Sequence, residues 1–429
     1  MKNNSFRAIF LVAALVSVSV LGCAGWTAVR ILLSERLIET GSEQNLRKAL
    51  RLAPLNATAW SQLGALLENR GDTESAAKTL QHAVDLDRYD SAALINLGLH
   101  WEIGGEPRRA EECLREAVRV NGAFYPRWVL ANFYLRQGAA EAFWKAMRDA
   151  MSISRADLTS AFQLYWRAYD DADEILQKGV LDRSDINRQY CDFLLSTGRV
   201  PAAAGVWKRI APQLQARDLQ LGLRYAEALL AQRRIEDALA VWNRLCEAKL
   251  LPYQSLDPAR GRLLTNGNFA APPSARGFDW RVGENEGINT ALLASSTGPE
   301  LRIRFSGAHA EAVDLLSQLA PAEAGQVYQL TFRYSTAALP PDTGLYWSIQ
   351  DAISGERLGE APLAAAEEAW KRGNLLVRTG PHSRLIRVTF AYRRAEGTVR
   401  AQGSVSLAGV DVSPAPLRSP SGQPQGAGA

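Results

Sequence analysis

Residue types recur at a 34-residue spacing between positions 57 and 124, and this period restricts the fold more than any other feature of the chain. Trp60, Leu63, Gly64, Leu67, Gly71, Ala76, Leu80 and Ala83 return as Leu94, Leu97, Gly98, Trp101, Gly105, Ala110, Leu114 and Ala117. The spacing within each copy predicts a helix A with large residues and a glycine on one face, a turn at the second glycine, and a helix B. The small alanine of helix B lets helix A approach closely. Such a pair cannot bury its apolar face alone, so copies must stack.

Other copies flank these two. Leu46, Ala49 and Pro54 match the second half of an earlier copy, whose helix A must be the continuation of the N-terminal apolar segment through Ile38. After Phe124 the pattern restarts at Trp128, Ala131 and Leu135 and loses its helix B phase at Gly138-Ala139-Ala140; residues 154–179 are a degenerate repeat. Phase returns with Tyr190, Cys191, Leu194, Gly198, Ala203, Trp207 and Ile210, and again with Tyr225, Ala226, Leu229, Ala238, Trp242 and Leu245. The residues that carry the pattern resemble the tetratricopeptide repeat, which implies a right-handed superhelix of five to six hairpins that binds and scaffolds. Its tryptophans Trp60, Trp101, Trp207 and Trp242 are expected to pack between hairpins. A groove for an extended peptide or partner helix is expected along the A helices, at Ser61, Ala65, Glu68, Asn96, Leu99 and Glu102.

The chain begins with a second strong signal. Residues 8–29 hold no charge, long enough for a helix to span a bilayer, and Lys2 and Arg7 precede them. This predicts a single-pass anchor in an inner membrane with the bulk of the chain in the periplasm. Val20-Leu21-Gly22-Cys23 also resembles a lipobox, the alternative being a lipoprotein anchored at Cys23, and a cleaved signal is the third reading.

At 429 residues with 47% hydrophobic content, the chain is too long for one core. Its 49 basic and 45 acidic residues nearly balance, which gives no electrostatic case for nucleic acid. Cys23, Cys113, Cys191 and Cys246 are scattered, as are His82, His100, His309 and His382, with none at metal-ligand spacing. No nucleophile elbow, phosphate loop or zinc motif is present, and no carboxylate pair stands out among Glu284, Glu286 and Asp351, so neither an enzyme nor a cofactor is expected.

After Leu251 the composition changes, with Pro252 and Pro258 breaking the helical pattern. Residues 301–305, 328–334, 345–350 and 386–392 alternate apolar with polar, the period of half-buried antiparallel strands in a β-sandwich. Leu263-Leu264-Thr265-Asn266-Gly267-Asn268-Phe269, Gly277-Phe278-Asp279-Trp280, Gly325-Gln326-Val327-Tyr328 and the closing segment 405–412 resemble a jelly-roll carbohydrate-binding module of the galactose-binding-like kind. That resemblance implies glycan contact. Ala270 stands where such modules usually carry an acidic calcium ligand, so no metal is expected. The alternation assigns Trp347, Tyr328, Phe332 and Tyr334 to the core. It leaves Tyr346, Ser348, Gln350, Thr331, Arg333 and Arg387 for one outward platform suited to an anionic polysaccharide.

The expected organisation is therefore multidomain. A membrane anchor occupies residues 1–30, an all-α tetratricopeptide superhelix 31–252, an all-β sandwich 253–413 and a disordered tail 414–429. The function this implies is an envelope scaffold with a protein partner in the repeat groove and glycan or protein on the sandwich. The architecture is similar to that of repeat proteins of bacterial exopolysaccharide assembly and export. Two alternatives differ in class: a polysaccharide-recognition protein with the repeats as spacer, and a structural part of a secretion or pilus-type complex.

Overall fold

The computed structural model describes residues 2–295, 298–366 and 368–415, with side chains from residue 15 onward. Two compact units are present, Met1–Leu181 and Asp182–Ala429.

The first unit opens with α1 (Lys2–Glu39), an unbroken helix. Its stretch Leu15–Glu39 is the one helix among the described residues long and apolar enough to cross a membrane. The final turns of α1 pair with α2 (Glu43–Leu52), and the hydroxyl of buried Ser34 donates to the carbonyl of Ala49 at 3.2 Å. The first repeat therefore grows directly out of the apolar helix. Three regular hairpins follow: α3 (Ala57–Asn69) with α4 (Thr73–Leu86), α5 (Ser91–Ile103) with α6 (Pro107–Val120), and α7 (Phe124–Arg136) with α8 (Ala140–Ile153).

The repeat glycines serve two distinct purposes. Gly71, Gly105 and Gly138 end the A helices at φ +81°, +76° and +70°, a conformation that costs other residues energy. At the helix crossings, a Cβ on Gly64 would lie 2.5 Å from Leu80, and one on Gly98 would lie 2.9 Å from Leu114. Asn56, Asp72 and Asp90 cap the helices that follow them by accepting backbone N–H groups.

The third hairpin corrects the expectation of a lost phase after Gly138. Helix α8 is a full fourteen residues, and its start follows that of α7 by the same interval as in the two hairpins before it. What changes is the crossing residue: fully buried Phe143 occupies the place of Ala76 and Ala110, and its ring packs on Trp144, Tyr165 and Tyr169. An aromatic cluster has replaced a close helix approach, so the small-residue signal vanished while the helix stayed. The stretch after it is irregular: α9 (Thr159–Ala168), then α10 (Ala172–Glu174) running into a π turn, Ile175–Gly179.

The second unit joins helices and strands in one body. Two more hairpins, α11 (Ser184–Ser196) with α12 (Val200–Ile210) and α13 (Leu219–Ala231) with α14 (Ile235–Glu247), bring the regular pairs among the described residues to six. Ten strands follow: β1 (Arg281–Val282), β2 (Ile288–Ser295), β3 (Gly298–Ser306), β4 (Ala312–Pro321), β5 (Val327–Ala337), β6 (Asp342–Asp351), β7 (Arg357–Ala364), β8 (Lys371–Arg378), β9 (Leu385–Arg393) and β10 (Gln402–Pro414). They form two antiparallel five-stranded sheets, ordered β1-β4-β9-β6-β7 and β2-β3-β10-β5-β8. Inward residues of both sheets fill a shared core in which Trp280, Trp347, Phe332 and Phe390 touch ring to ring. Strand β10 runs through Pro414 and the Ala415 N–H donates to Val327; the rest of the expected tail, 416–429, lies outside the described residues.

Helix α14 is fastened to the sandwich by a dense set of contacts. The Trp242 ring stacks on Tyr253 and meets the edge of Phe278. The Tyr253 hydroxyl donates to Asp279 at 3.0 Å. One carboxylate of α13, Glu227, accepts from the Gly277 N–H at 2.7 Å and from the Arg281 guanidinium at 2.9 Å. Composition changes near residue 252, yet the last two hairpins fold with the strands that follow them.

Candidate functional site

Two surfaces carry the residues singled out from sequence. Along the A helices of the first unit, the expected groove residues are bonded to one another. Asn96 of α5 donates to the Ser61 hydroxyl of α3 at 2.8 Å, Glu68 of α3 bonds the buried His100 ring of α5, and Glu102 of α5 receives Arg136 of α7 at 2.7 Å. Ser61 is buried, and Leu99 is half-buried. Each polar pair is about one repeat apart, so these groups are rungs that register successive A helices, and a peptide would meet their carboxylates already bound. Sequence reasoning placed the residues on a common helix face; it did not show that they bond to each other.

The tryptophans divide in the same way. Trp242 and Trp207 are buried, whereas half-buried Trp60 donates to the Pro54 carbonyl at 2.8 Å and Trp101 lies under the Arg109 guanidinium at 3.2 Å. Burial pushes the thiols of Cys191 and Cys246 up to about 12, so both are inert apolar fillers.

The six-residue platform expected on the sandwich is not one surface. Tyr346, Ser348 and Gln350 on β6 and Arg387 on β9 share the outer face of the first sheet, because β6 and β9 are direct neighbours. Thr331 and Arg333 lie on β5, in the opposite sheet, and face away on the other side of the core. Alternation tells which side of its own sheet a residue occupies, but not which sheet it joins.

On the first sheet the register builds a cross-strand row. Ser348 pairs with Glu360 of β7 on one side and with Thr389 of β9 on the other; Thr389 pairs with Ser317 of β4, and Ser317 with Arg281 of β1. Three hydroxyls thus cross the sheet between an acid and a base, and Arg281 reaches on to Glu227 of α13. Beside this row stand Gln350 and Arg387, paired in register, and the Arg387 Nε has no hydrogen-bond partner. Thr389 and Ala391 are buried, so the middle of the face is a floor of small side chains between larger ones. Tyr346 is less available than expected: Arg393 covers its ring at 4.8 Å and donates to its hydroxyl at 2.9 Å.

The other sheet presents arginines. Arg333 lies 5.0 Å over the Trp370 ring and pairs in register with Arg372, while Arg302 is bonded to buried Glu300 and Ser406. At one rim of the sandwich a cleft of about 960 Å³ is lined by Arg394, Arg400, Val399 and Gln402 among others, with Glu311 bridging the two arginines. Among the described residues no group of three or more His, Cys, Asp or Glu is placed to hold a metal ion.

The fold defines a class: an array of helical hairpins followed by a two-sheet β-sandwich. Residues 57–90 match the family model described as "Tetratricopeptide repeat". A comparison with curated proteins returned no match. Similar solved structures include the enzymatically active domain of a tailspike from bacteriophage CBA120, at 12% identity and TM-score 0.28, covering 37% of this chain; the chain spans 22% of that protein. A carbohydrate-binding module solved as "CBM4 structure and function" is 14% identical over 35% of this chain and 99% of its own length, with TM-score 0.27. YrrB, solved as a tetratricopeptide repeat protein with an unusual peptide-binding site, is 12% identical over 49% of this chain and 94% of its own, with TM-score 0.25.

Proposed function

We propose that this protein is a non-catalytic, membrane-anchored envelope scaffold whose repeats hold a protein partner and whose sandwich contacts glycan through the first sheet, in exopolysaccharide assembly or export. The observation that carries the glycan reading is the row Ser348–Thr389–Ser317 beside Gln350 and Arg387. Hydroxyls, an amide and a guanidinium are the groups that satisfy sugar hydroxyl and carboxylate oxygens. Contacts of α13 and α14 with the sandwich favour a fixed presentation of that face by this last hairpin.

Affinity electrophoresis of the full-length protein in detergent, through gels carrying neutral or anionic polysaccharides, tests the reading. Retention is expected on an anionic gel and is weakened by Gln350→Ala and by Arg387→Ala, but not by Arg333→Ala on the opposite sheet. Absence of retention on every gel, or equal loss with Arg333→Ala, overturns it. Added salt should reduce the contribution of Arg387.

A further inference from the structure

Outside α1, five large apolar side chains stand exposed in the first unit: Leu55, Tyr89, Ile103, Tyr125 and Ile153, at 79%, 66%, 69%, 62% and 43%. Four of them fall on one edge. Leu55 lies between α2 and α3, Tyr89 between α4 and α5, Tyr125 in the first turn of α7, and Ile153 at the end of α8. These are the places where a B helix hands the chain to the next A helix. Ile103, the last residue of α5, lies at the opposite edge, where A turns into B.

The same edge is where α1 enters. The last turns of α1 act as the first A helix, so its apolar stretch precedes them on the side where loops precede α3, α5 and α7. A shared groove shows this directly: Thr27, Arg30 and Ile31 of α1 line it together with Leu52, Pro54 and Leu55. Leu55 thus stands beside the point where the uncharged run of α1 ends.

We propose that the edge carrying Leu55, Tyr89, Tyr125 and Ile153 rests in the headgroup region of the membrane that α1 crosses, so that the repeats lie along the lipid surface. The proposal rests on the reading of α1 as a membrane span. Leu55 and Tyr89 occupy the same turn position one repeat apart, where polar residues are usual, and Tyr125 and Ile153, at helix ends on the same edge, add further exposed large apolar groups. Tyrosine suits that depth, with an apolar ring and a wet hydroxyl. Exposed Arg51, in the last turn of α2, and exposed Arg88, beside Tyr89, sit at the same edge, within reach of lipid phosphates. Asp87 and Asp90 at this edge are turned to the backbone, Asp87 accepting from the Tyr89 N–H and Asp90 from the Ala92 and Ala93 N–H groups.

The test uses the full chain with Cys23→Ala and Cys113→Ala, since the other two cysteines are buried. A fluorophore is attached singly through Tyr89→Cys, Tyr125→Cys, Ile103→Cys or Val16→Cys. The protein is reconstituted in phosphatidylcholine vesicles containing a minority of phosphatidylglycerol and, in parallel preparations, either a lipid whose spin label lies near the headgroup or one whose label lies deep in the acyl chain. Strong quenching of Val16→Cys is expected from the acyl-chain label, clear quenching of Tyr89→Cys and Tyr125→Cys from the headgroup label, and none of Ile103→Cys from either. Tyr89→Cys and Tyr125→Cys as quiet as Ile103→Cys, with Val16→Cys quenched, overturn the docking and leave the span intact. A Val16→Cys probe unquenched by the acyl-chain label removes the span and the docking together.

Discussion

Gly277→Ala tests whether α13, α14 and the sandwich behave as one body. Gly277 has φ +55°, and an added Cβ would lie 2.7 Å from the Trp242 ring, which is itself fully buried. The left-handed backbone costs a non-glycine residue about 1–2 kcal/mol, and overpacking a filled interior adds about 1–3 kcal/mol. The sum, roughly 2–5 kcal/mol, lowers Tm by roughly 5–15 °C in a unit of this size. Gly325→Ala supplies the comparison, because Gly325 has φ +70° with nothing within 4 Å, so it isolates the backbone cost. Calorimetry of the full chain, followed in parallel by far-ultraviolet and near-ultraviolet circular dichroism, should show helix and tryptophan signals of the second unit falling together at the lowered temperature. A Gly277→Ala protein no weaker than Gly325→Ala would refute the Trp242 contact. Sandwich loss that leaves the helical signal untouched would refute the single body.

Three further outcomes are expected. Ala110→Leu should destabilise the first unit by about 1–3 kcal/mol, because Ala110 is fully buried where α5 and α6 cross; a variant melting with the parent would show the crossing is looser than described. Trp347→Ala should cost roughly 3–5 kcal/mol, its ring being fully buried against Trp280, Phe332 and Phe390, whereas Tyr346→Ala, one residue away and facing outward, should cost under about 1 kcal/mol; comparable melting of the two would contradict the assigned faces. His309 is buried between Phe305 and Tyr392 with neither ring nitrogen hydrogen-bonded, and burial, with Arg400 nearby, holds its pKa below the ordinary histidine value. The unfolded chain therefore binds the proton more readily, so the stabilisation is present above about pH 6.5 and is lost as pH falls below it. His309→Phe should flatten the acid side of the Tm-versus-pH curve of the second unit, and an unchanged slope would exclude His309 as its source.

The repeats were legible because their signal is local. Gly64, Leu80 and Gly71 act within one hairpin, at the spacing of helix and turn, and the same spacing recurs in the next copy. Where a longer-range contact took over, legibility failed: Phe143 erased the small-residue mark of a hairpin that is otherwise regular. The groove residues illustrate a second limit. Ser61, Glu68, Asn96 and Glu102 were correctly placed on A helices, but their bonds run between helices, and pairings a repeat apart cannot be read from one helix face.

For the sandwich, the amino-acid sequence by itself determined which side of each strand is wet, since the strand period of two is written in adjacent residues. Trp347 is inward and Tyr346 outward, as the alternation requires. Only the tertiary structure decided which strands are neighbours. Strands β6 and β9 lie side by side although about 40 residues separate them, which is a matter of global sheet order. That order moved Arg333 and Thr331 to the far sheet, set Ser317, Thr389 and Ser348 in one row, and covered Tyr346 with Arg393. Local periodicity fixes a face because it needs only adjacent residues, whereas a binding surface needs partners that chain closure alone brings together.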